Sequence, residues 1–148
     1  MILSFVESLI PPLAMVPGVK IGLANIVTVF LLYTLGIRAA GAVSLIRVLL
    51  SALLFGNVQS LIFALSGALL SFVVMIVSKH LLPFGTVGVS VLGAIAHNAG
   101  QIIAAVIVMQ TVGAAYYFIP LVISGTLGGV LVGIVAAVIT KRLEKIIK

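Results

Sequence analysis

The stretch GAIAHNAGQ, which begins at Gly93, places three hydrogen-bonding side chains inside a long apolar run. Gly93, His97 and Gln101 recur at four-residue spacing, so in a helix they share one face, and Asn98 lies on the flank of that face. The glycines of this stretch leave room for a ligand or for a neighbouring backbone. Polar side chains are costly in hydrocarbon. The cluster therefore predicts a binding site, with a histidine bonded to a helix backbone and interhelical amide hydrogen bonds as the alternatives.

Arg47 is the second chemically informative residue, because it lies in the middle of the apolar stretch SLIRVLLSALLF. An arginine at the centre of a membrane costs at least about 2.5–3.5 kcal/mol on insertion scales. The guanidinium cannot lose its charge to avoid that cost. Ser44, Arg47 and Ser51 share one helix face. We expect this face to line the interior of a helix bundle or a water-filled cavity, with a structural ion pair as the alternative role for the arginine.

A proline-rich connection, PPLAMVPGVK, precedes a third group of polar residues. It ends at Lys20 and leads into IGLANIVT, where Asn25 and Thr28 share a face. We expect the connection to form a lid over a cavity lined by Arg47, Asn25, His97 and Gln101, with Lys20 in or beneath the lid. In the alternative interpretation, Lys20 is an ordinary interfacial cation, and Glu7 pairs with Lys20 or Arg47.

The donors in this set suit an anionic group such as a phosphate or a carboxylate, surrounded by apolar walls. Other chemistries are disfavoured by the residue inventory. The chain has no aspartate and no cysteine, and its two acids are Glu7 and Glu144. It therefore lacks the carboxylates of a magnesium site and a Ser-His-Asp triad, and it has no phosphate-binding Walker motif. We predict a protein that is not an enzyme and that needs no metal or cofactor.

The elements that position these residues are predicted to be membrane-spanning helices. The sequence is 64% hydrophobic with 7% charged residues, where a soluble domain has about a quarter. Charged residues and helix breakers divide the chain into six apolar segments. The first segment is too short to span a bilayer alone, which indicates a partial or truncated first helix. The fold predicted is an all-α integral membrane bundle, a single domain over 1–148. Its segments are residues 2–10, 21–35, 39–55, 58–77, 87–109 and 114–140.

The basic residues lie mostly at segment ends, which indicates membrane orientation and excludes a nucleic-acid partner. With six passes and a cytoplasmic C-terminus, only Lys20 falls outside. The cytoplasmic loop and tail cations are then Arg38, Lys79, Lys141, Arg142, Lys145 and Lys148. The positive-inside rule thus predicts that both termini are cytoplasmic.

Small residues recur at four-residue spacing on two of the segments, which allows helix backbones to approach closely in lipid. We expect these stripes to be packing surfaces within the bundle, with docking to another membrane subunit as the alternative. They are Gly125, Gly129 and Gly133 on the last segment, and Ser60, Ala64 and Ala68 on the segment over 58–77.

The runs VPGVKIGLANIVTVFLLYTLG, SLIRVLLSALLFGN and GAIAHNAGQ together resemble the Gx transporter family, which is also labelled heptaprenyl diphosphate synthase component I. That family is similar to the substrate-binding S components of energy-coupling factor (ECF) transporters. The resemblance implies a six-helix S-component-like fold in the bacterial cytoplasmic membrane. It also implies docking on an ECF coupling subunit with an ATPase pair. The residues that match the polar signature of the family are Lys20, Asn25, Arg47, His97, Asn98 and Gln101.

We therefore expect a substrate-binding membrane subunit for uptake of a small anionic or amphiphilic molecule, which the family label suggests is isoprenoid-related. The alternative is a noncatalytic membrane accessory subunit of heptaprenyl diphosphate synthesis. A channel ranks last, because the cytoplasmic half has no matching trail of polar residues. One departure from the family pattern is the short first segment MILSFVESLI, which lacks the small-residue pair that S components use for docking.

Overall fold

The computed structural model describes residues 25–55, 58–82, 84–110 and 112–147, and every regular element within these ranges is helical. We number the α-helices in chain order, and a short 3₁₀ helix precedes the last of them. The helices are α1 (Asn25–Thr34), α2 (Ile37–Phe55), α3 (Val58–Leu81), α4 (Thr86–Met109), the 3₁₀ helix (Val112–Tyr117) and α5 (Phe118–Ile147).

Among the described residues, four helices are long and apolar enough to cross a membrane, namely α2 to α5. Their outward faces are apolar, and Leu53 of α2, for example, is 81% exposed. Because such a surface is stable only in lipid, the architecture is that of a multi-pass membrane protein. The helix α1 is apolar but only ten residues long. The predicted segment over 2–10 and the proline-rich connection lie outside the described residues, so the count of six segments stays a prediction.

The predicted boundaries agree with the structure to within two residues, except near two basic ends and at the start of the last segment. That start is predicted at residue 114, but α5 begins at Phe118, after the 3₁₀ helix. The predicted start of the second segment, over 21–24, lies outside the described residues. Helix α3 continues past residue 77 to Leu81 and includes Lys79 and His80. Helix α5 continues through the basic tail to Ile147, because lysine, arginine, leucine and glutamate all favour the helix and no proline or glycine interrupts them. Helix α1 ends just before Gly36, the glycine that predicts its end in the sequence. Gly36 adopts φ 89°, and its N–H donates to the carbonyl of Leu31.

Helices α3 and α4 run antiparallel with their backbones in close contact. A Cβ added at Gly67 would lie 2.8 Å from Cγ of Gln101, and one added at Gly93 would lie 2.7 Å from Cγ of Met75. A Cβ at Gly100 would lie 2.6 Å from the carbonyl oxygen of Ser66. The glycines of GAIAHNAGQ therefore make room for α3.

Helices α4 and α5 also run antiparallel, and glycines of α5 form their contact. A Cβ added at Gly129 would lie 2.8 Å from Cα of Val91, and one at Gly133 would lie 2.6 Å from Cα of Val87. The prediction that the glycine stripe over 125–133 packs within the bundle is thus confirmed. On α3, Gly67 is buried against α4, while in the second predicted stripe Ala64 and Ala68 are partly buried and Ser60 is exposed.

The remaining contacts close the helices into a ring. Helix α1 packs against α2 and α5 and also touches α4, while α2 packs against α3. The apolar core fills the half of this ring near the end of α1, where Leu32 and Val89 are fully buried. Its other buried members are Val29, Ala40, Met75, Val132 and Ala136. The polar residues of interest lie at the edge of this core and beyond it.

Candidate functional site

Arg47 and Asn25 form the first half of the candidate site, between α2 and α1. Nη2 of Arg47 donates a hydrogen bond to Oδ1 of Asn25 at 3.1 Å. The preceding turn of the same α2 face contains Ser44, which is buried, and Arg47 itself is partly buried. The face predicted from Ser44, Arg47 and Ser51 is thus directed into the bundle. The amide oxygen of Asn25 orients the guanidinium, because its lone pairs accept along a fixed direction.

His97 and Gln101 form the second half, on the α4 face that packs against α3. A Cβ at Gly67 would lie 3.0 Å from Cε1 of His97 and 2.8 Å from Cγ of Gln101, so both side chains lie beside this glycine. Gly67 is buried, and both polar residues are partly buried. The structure therefore brings His97 and Gln101 together on one face, as their four-residue spacing predicts.

The register between α2 and α3 puts the two halves at the same depth. A Cβ at Gly41 of α2 would lie 3.0 Å from the ring of Phe72 of α3. Arg47 is six residues after Gly41, and Ser66 is six residues before Phe72. Because the two helices run in opposite directions, Arg47 lies within about one turn of the depth of Ser66 and Gly67, and hence of the turn from His97 to Gln101.

Asn98 faces the other way. Its Nδ2 donates to the carbonyl oxygen of Leu121 in α5 at 2.6 Å, and it lies against Gly125. This amide bridges α4 to the first turns of α5, where the carbonyl has a second donor in the hydroxyl of Ser124 at 3.2 Å. The structure thus separates Asn98 from His97 and Gln101, although the three are within one turn and a half of sequence.

Lys20, the remaining predicted site residue, lies outside the described residues, as does the predicted lid. Lys79 has a role that the sequence did not suggest. Its Nζ donates to the carbonyl oxygen of Leu32 at 2.5 Å and lies 4.8 Å from the ring centroid of Tyr33. A cation at the carboxyl end of a helix is favourable, so Lys79 holds the end of α1 against α3 and thereby helps to position Asn25.

The basic residues with described side chains lie at one end of the molecule, apart from Arg47. Arg38 begins α2, Lys79 ends α3, and the last turns of α5 contain three more basic residues. Since α3 and α5 both run antiparallel to α4, their carboxyl ends lie together. The opposite half of the described bundle contains the site but no other cation, so the arginine is isolated from the charged end.

The chemistry open to this arrangement follows from the groups that it contains. Within the described residues no group of three or more His, Cys, Asp or Glu side chains is close enough to hold a metal ion. The groups brought to mid-depth are a guanidinium, an imidazole and two amides, which recognise an oxyanion by hydrogen bonds and charge.

Comparison with protein families supplies the remaining evidence. The family model described as heptaprenyl diphosphate synthase component I matches residues 1–139. No curated protein and no solved structure matches the chain. Because the family match covers most of the 148 residues, the chain belongs to the heptaprenyl diphosphate synthase component I family.

Proposed function

We propose that the protein is a membrane subunit that binds a small anionic or amphiphilic molecule at mid-depth between α1, α2, α3 and α4. The observation that supports this most directly is the inward-facing Arg47, hydrogen-bonded to Asn25 at the depth of His97 and Gln101. Placing an arginine within a membrane costs at least about 2.5–3.5 kcal/mol, and a binding function that uses the guanidinium explains why it is there.

The proposed roles follow from the contacts. Arg47 is the anchor for the oxyanion, and Asn25 orients it. His97 and Gln101 supply further hydrogen bonds from the facing helix. Asn98 contributes by tying α5 to α4 through Leu121. Lys20, which lies outside the described residues, is proposed to act near the entrance as a second cation.

In this proposal the protein works like an S component of an ECF transporter, with six membrane segments and with uptake energised by a coupling subunit and an ATPase pair. The basic end, formed by α3 and α5 among others, is then the cytoplasmic side of a bacterial cytoplasmic membrane. The proposal rests on the candidate site formed by Arg47, Asn25, His97 and Gln101, and on the resemblance to S components. An isoprenoid-related substrate agrees with the family description and with a cationic group among apolar helices.

The test compares two arginines of the same helix. Arg47→Gln removes the inward guanidinium, whereas Arg38→Gln removes an exposed one at the basic end and is the matched control. Native mass spectrometry of the purified protein should detect a copurified ligand in the wild type and in Arg38→Gln, and none in Arg47→Gln. Equal ligand occupancy in both variants, at equal folded yield, would refute the role of Arg47.

The family description favours a second candidate function, that of a noncatalytic membrane accessory subunit of heptaprenyl diphosphate synthesis. Copurification from native membranes separates the two. A transport subunit should bring down a membrane coupling protein with ATPases, while an accessory subunit should bring down a soluble, aspartate-rich prenyl synthase. Recovery of the synthase without ATPases would overturn the transport proposal and support the second candidate.

A further inference from the structure

Two hydroxyl groups beside the candidate site have no hydrogen-bond partner in the part of the chain that the structure describes. They are Oγ1 of Thr28 and Oγ of Ser71. Each residue is only 3% exposed. A buried hydroxyl without a partner is destabilising, and native proteins satisfy nearly all such groups, so both positions need an explanation.

The helix itself does not explain them, because other hydroxyls of this protein bond to a carbonyl one turn earlier. In α3, Ser66 donates to the carbonyl of Ile62 at 2.9 Å. In α5, the buried Thr140 donates to the carbonyl of Ala136 at 2.8 Å. Ser71 has the carbonyl of Gly67 one turn before it and does not donate to it within the described structure. Within the described residues its hydroxyl is therefore uncommitted, and it can donate to a bound group.

Both hydroxyls lie next to a half of the site. Thr28 is three residues after Asn25, and Ser44 is three residues before Arg47. The bond between Asn25 and Arg47 sets the register of the antiparallel helices, so Thr28 lies one turn from that bond at the level of Ser44. Ser71 is one turn after Gly67, on the same face of α3. Thr28 thus flanks the Asn25–Arg47 half, and Ser71 flanks the His97–Gln101 half.

We propose, on the basis of the proposed function, that Thr28 and Ser71 donate hydrogen bonds to the phosphate or diphosphate end of a bound amphiphile whose charge is neutralised by Arg47. A phosphate end has several acceptor oxygens, so it accepts from two hydroxyls and a guanidinium together. The charged end of the ligand lies at mid-depth, at the edge of the apolar core.

The experiment uses the full chain in detergent with farnesyl diphosphate as the probe, alongside farnesol and inorganic pyrophosphate. Thr28→Val and Ser71→Ala remove one hydroxyl each with little change of shape. Thr140→Val is the matched control, since its hydroxyl is bonded to Ala136 far from the site. Each of the first two variants should weaken farnesyl diphosphate binding by about tenfold, the effect of one hydrogen bond to a charged group. Farnesol and pyrophosphate should bind more weakly to the wild type than farnesyl diphosphate does.

A second readout separates ligand binding from a structural role. Without ligand, Thr28→Val and Ser71→Ala should melt at the same or a higher temperature than the wild type, because an unsatisfied donor has been removed. Unchanged farnesyl diphosphate affinity in both variants overturns the proposal, and the proposed function survives if Arg47→Gln still abolishes binding. Equally tight binding of farnesol overturns the assignment of an oxyanion, and equally tight pyrophosphate overturns the assignment of an amphiphile. Failure of all three probes to bind overturns the assignment of a phosphate-ended amphiphile, whereas loss of the copurified ligand in Arg47→Gln would still support the proposed function.

Discussion

The contact between Gly100 and the backbone of α3 allows a quantitative test of the fold. An alanine at this position would put its Cβ 2.6 Å from the carbonyl oxygen of Ser66 and 2.9 Å from Cα of Gly67. Nonbonded carbon atoms prefer separations of about 3.5–4.0 Å. Both neighbours are main-chain atoms and cannot rotate away, so α3 and α4 must move apart.

The magnitude follows from two opposing terms. Forcing an extra carbon into a packed interface costs about 1–3 kcal/mol. Replacing glycine by alanine within a helix returns about 1 kcal/mol. Because the clashing atoms belong to the main chain, the overpacking cost lies in the upper half of its range, about 2–3 kcal/mol. We therefore expect Gly100→Ala to destabilise the protein by a net of about 1–2 kcal/mol. For a chain of this size that corresponds to a melting temperature lower by about 2–8 °C.

The assay is thermal unfolding in mild detergent, with the folded fraction measured by size-exclusion chromatography. Gly88→Ala in the same helix is the control. Its Cβ would meet only side-chain atoms of Phe84, at 3.1–3.3 Å, and Phe84 is exposed and free to shift. This control should melt at or slightly above the wild-type temperature, because it gains helix propensity without pushing two helices apart. A Gly100→Ala protein that is as stable as the control would refute the close contact of α3 with α4.

Two further predictions concern the contacts that hold the ends of helices. Lys79→Met should lower the free energy of unfolding by about 1–2 kcal/mol, since it removes the bond to Leu32 and the contact with an aromatic ring, whereas the exposed Lys145→Met should have no effect. Equal melting temperatures for the two lysine variants would contradict this. Asn98→Ala should cost about 0.6–1.7 kcal/mol by removing the bond to Leu121, while farnesyl diphosphate affinity changes less than in Arg47→Gln. Loss of affinity without loss of stability would instead make Asn98 a direct ligand contact.

Several features of this protein follow from local sequence alone. The membrane class follows from the apolar composition, and the boundaries of α2 and of most of α3 and α4 follow from charged residues and helix breakers. The end of α1 at Gly36 follows from the need for a positive φ. The inward direction of Arg47 follows from the cost of placing it against lipid. Each of these features depends on one residue or one segment and on its interaction with the bilayer, not on contacts with distant segments.

Other features depend on which helix faces meet, and only the tertiary structure decided them. Asn98 and Gln101 are alike in chemistry and close in sequence, yet one bonds α5 and the other lies against α3. The sequence allowed Gly93 and Gly100 to face either a ligand or a neighbouring helix. The register of α3 placed the side chain of Met75 against Gly93 and the backbone of Ser66 and Gly67 against Gly100. The physical reason is that hydrophobicity in a bilayer drives insertion of each helix but not its pairing, which depends on steric fit between distant segments.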